Sequence, residues 1–450
     1  MKRKKIINFT LYSVAALFLA YHLMPVFSAG ANLAPKEVTR AELAASAQCS
    51  ANTEITVPTF GHPLRDPIIT DLTARRSLVT QQANMTTLYD QSKVSQVQDW
   101  ESSRYGTNDG VATLQSSSTP QQAIFRVDMN NLKDGDAKWL SPRFSVRAGE
   151  YVTVSFRYRA NQEFKPTAIF IDNDGDTQYI PQTVRSASEG WSNEKITFVV
   201  PANTQGLRFA ANLEDNGWLE TTDYQVSVQP LPQLQRGVAT FTFDDGWKSI
   251  HDQGLPLFER YGVKTTQYVV ADYEGNDAYM DQKMIQDFRD AGHDIGSHSY
   301  SHADLTTLST DKLSIEVAGS AYLLNKSYDG VNNFAAPFGR YNDAVTNTIA
   351  QCYQSHRTTD AGYNAAGYDR YKIKVQNVEV DTTPEQIKAW AEFAEQNKLW
   401  LILVYHQVET GGEYSVDTTV LESQIKAVKE TGIHTATFEQ ALLETYPQGR

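Results

Sequence analysis

Two adjacent carboxylates, a pair of histidines and one late histidine are the residues of this chain best suited to chemistry. The run Val238-Ala239-Thr240-Phe241-Thr242-Phe243 ends in Asp244-Asp245-Gly246-Trp247. About fifty residues on, His298 and His302 stand four apart in Gly296-Ser297-His298-Ser299-Tyr300-Ser301-His302. Near the end, Leu401-Ile402-Leu403-Val404-Tyr405 delivers His406. One carboxylate and two imidazoles make a three-ligand metal set with open positions. A second carboxylate and a third imidazole then remain for proton transfer. Taken singly, each piece has a plainer reading. Asp-Asp-Gly is a common turn, a lone histidine after an apolar strand is more often structural, and a spacing of four recurs by accident. On a helical turn that spacing would bring both rings to one face. Side by side at a buried strand's end, the carboxylates repel unless a cation is near. Their side chains diverge, so they should do different work.

The elements that must position these residues follow from the rest of the chain. Its 450 residues are enough for two or three domains, and 41% hydrophobic content builds ordinary cores. A net charge of −13 argues against a nucleic-acid partner, which needs a basic footprint. Lys2-Arg3-Lys4-Lys5 precedes a mostly apolar stretch, residues 6–27. This reads as an export signal or membrane anchor, residues 1–30, with Ala29-Gly30-Ala31 as a small-residue cleavage site. Either way the remainder is expected outside the cytoplasm, extracellular or at the cell surface. Membrane contact would come only through this segment, and a monomer is expected. The two cysteines, Cys49 and Cys352, are too few for a disulfide framework; an oxidising compartment would permit one bond, but unpaired thiols are the plainer reading.

Residues 31–55 read as a linker. From 56 to 232 the texture is β. Tyr151 to Tyr158 alternates with period two, and Asp172-Asn173-Asp174-Gly175-Asp176 joins two apolar runs as a hairpin turn. The same acidic residues give a calcium site as the minority reading. Many short strands predict a sandwich or jelly roll. Pro230-Leu231-Pro232 closes this part. Residues 233–450 alternate strands with helices: 248–261, 280–291, 310–326 with Ser309 as N-cap, 342–353, 384–398 and 418–431. Repeating βα units imply a parallel sheet, and barrel active sites gather at the carboxyl ends of its strands.

In this setting the sequence resembles the polysaccharide deacetylase (NodB homology) family of metal-dependent carbohydrate esterases. Thr242-Phe243-Asp244-Asp245-Gly246 matches its first motif and His298-Ser299-Tyr300-Ser301-His302 its second. Pro337-Phe338-Gly339 is similar to the Pro-Tyr-Gly of its third. The resemblance covers about residues 236 to 445. It implies a multidomain fold: a C-terminal α/β (β/α) barrel of the NodB type, preceded by an all-β, jelly-roll-like sandwich similar to a carbohydrate-binding module. It implies that Asp245, His298 and His302 hold a divalent metal, zinc by default, with cobalt or nickel also suited to imidazoles. Asp244 would be the general base and His406 the general acid. Trp247, Pro337, Phe338 and Arg340 would line a substrate groove. The implied reaction is removal of acetyl groups from an extracellular polysaccharide. N-acetylglucosamine polymers such as exopolysaccharide, peptidoglycan or chitin-like chains come first. An O-acetyl (xylan-type) esterase or a catalytically impaired sugar-binding homologue are the alternatives. The third motif usually opens with an arginine that pairs with the base; here Ala335 stands in its place. Nearby Arg340 is a candidate substitute. Asp381 and Trp390 lie where a fourth motif, which sets the acid histidine, would fall, but without its spacing.

The remaining features read as structural. His293 fits a turn, and His251 and His434 fit helix or strand positions. Trp100, Trp139, Trp191 and Trp218 should mostly be core, with one or two free to stack on sugar rings.

Overall fold

The computed structural model describes residues 85–93, 99–116 and 123–446. The leader or anchor, the linker and the first part of the expected β region lie outside the described residues. So does Cys49.

Residues 86–230 form two antiparallel six-stranded sheets packed face to face. The alternation read at Tyr151 holds along Glu150–Ala160: Val152, Val154, Phe156 and Tyr158 are buried, and Arg157 and Arg159 lie on the other face. The inner faces bury an aromatic cluster of Trp100, Phe125, Phe156, Phe209 and Tyr224. The acidic hairpin is a turn: Asp172 Oδ1 accepts from the backbone N–H groups of Asp174 and Asp176. Of the four tryptophans, Trp100 is core and Trp139 half-buried. Trp191 and Trp218 alternate with Arg157, Arg159 and Arg126 along the outer face.

The second half is a closed parallel barrel. Its strands are β1 (Val238–Phe243), β2 (Thr265–Val269), β3 (Asp294–Ser297), β4 (Asn333–Ala335), β5 (Ser355–Ala361), β6 (Ile373–Asn377) and β7 (Trp400–Tyr405). Each pairs with the next, and β1 closes the ring by pairing with both β2 and β7. A two-residue strand, β8 (His434–Thr435), adds to β1. Strands buried on both faces read as continuous apolar runs, and every residue of β1 and β7 is buried. Along β1, Ala239, Phe241 and Phe243 pack outward into the core shared with the helices. Val238 and Thr240 take the other face, where Trp400 Nε1 donates to Thr240 Oγ1. The two-residue period carries Asp244 onto that inner face.

The helices follow the capping signals closely. Gly262 ends Leu255–Tyr261 in the left-handed conformation, with φ 60°, and Asn342 caps Asp343–Cys352 with its side chain. Three expectations fail. The helix foreseen over 248–261 opens on a π-helical turn, Ile250–Gly254, and is α-helical only over Leu255–Tyr261. The helix foreseen over 310–326 is three pieces, Thr310–Ser314, a π-helical turn Ile315–Gly319 and Ser320–Tyr328. Ser309 precedes it without a side-chain cap bond. Cys352 is disulfide-bonded, which corrects the reading of unpaired thiols.

The two halves share a buried polar seam. Asp360 on β5 accepts from Thr183 N at 2.7 Å and from Tyr341 Oη at 2.7 Å, and Arg185 lies 3.4 Å away. Burial raises the Asp360 pKa, but Arg185 and Lys374 outweigh it and bring it down to about 2. Arg340 reaches Glu163 of the β-domain at 3.0 Å.

At the opposite end of the barrel from the carboxylate pair, the buried Glu439 stands beside the half-buried Asp294. Burial, and then the neighbouring Asp294 charge, hold the Glu439 carboxyl above its ordinary range. The folded chain therefore keeps a proton that the unfolded chain gives up near pH ~4.3. Stability should fall as pH rises from there through the folded value. Glu439→Gln, which cannot lose that proton and can still accept from Asn332 Nδ2, should flatten the decline. It should gain on the order of 1–2 kcal/mol at pH 9 and little at pH 5. Urea midpoints at the two pH values check this; an equal change at both would contradict it.

Candidate active site

The five residues singled out in the sequence all follow barrel strands at one rim. Asp244 and Asp245 follow β1, His298 follows β3 and His406 follows β7. Asp244 N–H extends the ladder by donating to Tyr405 O at 2.9 Å. The chain then turns: Asp245 has φ 72° and Gly246 φ 78°. This reversal separates the two carboxylates.

Asp245 turns toward the histidines. Its Oδ1 lies 3.4 Å from His298 Nε2 and 3.3 Å from His302 Nε2. One donor atom from each of the three lies within 4.8 Å of the others, a grouping that among the described residues occurs here alone. Asp245 Oδ1 is buried and has no hydrogen-bond donor, whereas Oδ2 accepts from Trp247 Nε1 at 2.9 Å. His298 Nδ1 meets Ala335 O at 2.8 Å, so that nitrogen carries the proton and Nε2 keeps its lone pair toward Asp245. Burial depresses the His298 pKa to about 4, keeping the ring neutral as a ligand must be. For Asp245, burial works upward, but the His302 ring 3.3 Å away and the nearby His298 and His406 outweigh it and hold the pKa well below the carboxylate range. An orphaned anionic oxygen facing two imidazole nitrogens, each donor with a polar partner or a fixed loop behind it, is a set that fits a divalent cation.

The histidine pair does not sit on a helical turn. Residues 298–302 are an irregular loop in which Ser299 (φ 68°) and His302 (φ 60°) are left-handed. This double reversal, rather than helical stacking, brings the rings to 5.0 Å.

Asp244, 3% exposed, faces into the barrel. Arg357 Nη2 donates to its Oδ1 at 2.6 Å and its Oδ2 at 2.5 Å. Arg357 is fully buried on β5, with its guanidinium over the Tyr268 ring at 4.9 Å. Arg357 pairs in register with Ala335, so the positive charge comes from the strand beside the expected position. Arg340 does not substitute: its Nη1 pairs with Asp304 at 2.8 Å and with Glu163 at 3.0 Å. The sequence reading missed Arg357 because β5 reads Ser-His-Arg-Thr-Thr-Asp-Ala, a polar run with no strand signature.

Around these groups stand aromatic side chains. Trp247 stacks on Tyr279 at 4.5 Å. Phe338, 53% exposed, packs edge-on against His302 at 4.6 Å. It holds φ 58°, followed by Gly339 at φ 66°, where a Cβ would stand 1.8 Å from Thr359 Oγ1, so glycine is required. Pro337 is buried beneath this turn. His406 packs against Tyr414, 45% exposed, at 5.3 Å, and its Nδ1 is buried without a partner. Trp390 packs against the barrel's outer core.

Residues 232–354 match the family profile described as polysaccharide deacetylase. Over these residues the barrel is similar to the polysaccharide deacetylase family. Among its relatives, a chitin deacetylase of Arthroderma benhamiae is 32% identical over 149 residues, 31% of this chain and 39% of that protein. The protein YxkH of Bacillus subtilis is 26% identical over 172 residues, 37% of this chain and 61% of its own length. A bifunctional xylanase/deacetylase of Pseudobutyrivibrio xylanivorans is 24% identical over 204 residues, 39% and 31% of the two chains. The chain spans less than two thirds of the length of these relatives. The matched segment of the profile ends at residue 354, three residues short of Arg357.

Proposed function

We propose that this chain is an exported hydrolase that removes acetyl groups from a polysaccharide, acting first on the amide of N-acetylglucosamine units. The observation that carries the reading is the division of labour between neighbouring carboxylates. Asp245 joins His298 and His302 in a donor cluster, while Asp244 is turned away from it onto Arg357.

A divalent ion held by Asp245, His298 and His302 would supply Lewis acidity toward the acetyl carbonyl and acidify its water. Asp244 accepts the proton of the attacking water, its charge held in place by Arg357. His406 donates a proton to the departing amine, and Trp247 keeps Asp245 in the orientation that presents Oδ1. Phe338 and Tyr414 offer exposed ring faces for sugars on either side. Zinc suits the donor set best, with cobalt or nickel next.

A pure sugar-binding role is disfavoured because a binder has no use for a fully buried arginine fixing a second carboxylate. The relative that couples xylanase and deacetylase keeps an O-acetyl substrate as the second reading, since the same groups serve an ester. Export is supported by the basic and apolar start of the sequence and by the disulfide at Cys352, a bond that persists in oxidising compartments.

Acetate release should be measured on chitin oligomers, peptidoglycan fragments and acetyl-xylan. Chelation should lower release by at least about 100-fold, the several kcal/mol a bound cation supplies. Zinc, cobalt or nickel should restore it. Release indifferent to chelator on every substrate would overturn the reading; release from acetyl-xylan alone would favour the ester.

A further inference from the structure

The loop between the two histidine ligands is strained, and something must hold it. Left-handed backbone at Ser299 and His302 costs on the order of 1 kcal/mol at each non-glycine position. The local bonds are modest: His302 N–H donates to Ser299 Oγ at 3.0 Å, and Ala271 and Asp272 N–H donate to Ser299 O and Tyr300 O at 3.1 and 2.9 Å. The remaining anchor comes from the π-helical turn Ile315–Gly319. Glu316 on that turn is 6% exposed. Its Oε2 accepts from Ser301 N–H at 2.9 Å, its Oε1 from Ser301 Oγ at 2.5 Å, and its backbone O from Tyr300 N–H at 3.1 Å. Three bonds from one residue therefore grip the two positions just before His302.

An α-helix through 310–328 would be the regular outcome of this sequence; the π turn is a local departure of a kind frequent at functional sites. A buried carboxylate is also costly unless its acceptors are used, and Ser301 uses both oxygens. We propose that Glu316 is a positioning residue of the metal site, bracing the 299–301 loop so that His302 meets Asp245 and His298. This rests on the reading that those three residues bind a divalent ion.

The test is metal binding by the full chain stripped of metal, measured by zinc titration and by the visible absorption of its cobalt(II) form. Glu316→Ala should weaken zinc about 10- to 100-fold, the range seen when outer-shell partners of metal ligands are lost, and should alter the cobalt spectrum. Glu316→Gln, which can still bond to Ser301, should stay within about threefold of the unaltered chain. If Glu316→Ala does not fold, Ser301→Ala decides, since it removes only the hydroxyl arm: a loss beyond threefold in affinity supports the brace. Zinc affinity and cobalt spectrum unchanged in the variant that folds would overturn it. An unaltered chain that binds no zinc would instead remove the reading of the site itself.

Discussion

Replacing Arg357 by methionine should cost the chain about 3–5 kcal/mol of stability, the penalty for leaving a buried charge without its partner, and should abolish acetate release at neutral pH. The geometry gives Asp244 no other cation. Arg357 Nη2 contacts both of its oxygens, both side chains are nearly or fully buried, and Arg340 is engaged by Asp304 and Glu163. With the guanidinium gone, nothing holds the carboxylate in the orientation from which it takes the water's proton. The register supplies a stronger test. Ala335 and Arg357 are direct neighbours on β4 and β5, and both side chains face the barrel interior. Ala335→Arg combined with Arg357→Ala should therefore recover part of the stability and part of the rate lost by Arg357→Ala alone. Thermal denaturation and acetate release read both effects. A stable, active Arg357→Met chain would show that Asp244 is held by something else.

What the sequence made legible and what it hid divide along one physical line. Strands buried on both faces announce themselves as apolar runs, so β1 and β7 and the residues delivered at their ends could be read directly. Helices Leu255–Tyr261, Asp343–Cys352, Pro384–Asn397 and Thr418–Glu430 carry caps or stop residues, and were equally readable. The strands that shape the site from within are the ones that hid. β4 has three residues, and β5 lines a polar interior, so Arg357 carried no periodic signal. The histidine spacing pointed to two rings that do converge, but not on a helical turn, because spacing does not distinguish such a turn from a loop with two left-handed residues. Trp247 was foreseen as a groove residue; its bond to Asp245 depends on the turn at Gly246, which no pattern encodes. The contacts across the domain seam, from Glu163 to Arg340 and from Thr183 to Asp360, join residues about 177 positions apart and had no local signature.

Asp244→Asn and Asp245→Asn, one position apart, should fail in different ways. Asp245 is the cluster carboxylate, with Oδ1 facing both imidazoles. Losing its charge should weaken zinc binding by two orders of magnitude or more, and activity should recover in part when zinc is raised, because the chemistry beyond the ion is untouched. Asp244 approaches the cluster only at 4.0 Å, the distance from its Oδ2 to His298 Nε2, and its bonds go to Arg357. Asparagine there keeps the shape but accepts no proton from water, so kcat should fall about 10²- to 10⁴-fold. Zinc affinity should stay within a few-fold, and no excess of zinc should restore the rate. The two profiles are opposite in what added metal can rescue, so acetate release across a zinc titration separates them in one experiment. If both variants lost zinc equally, the adjacent carboxylates would be sharing one ion, and the proton would have to leave the attacking water by another route.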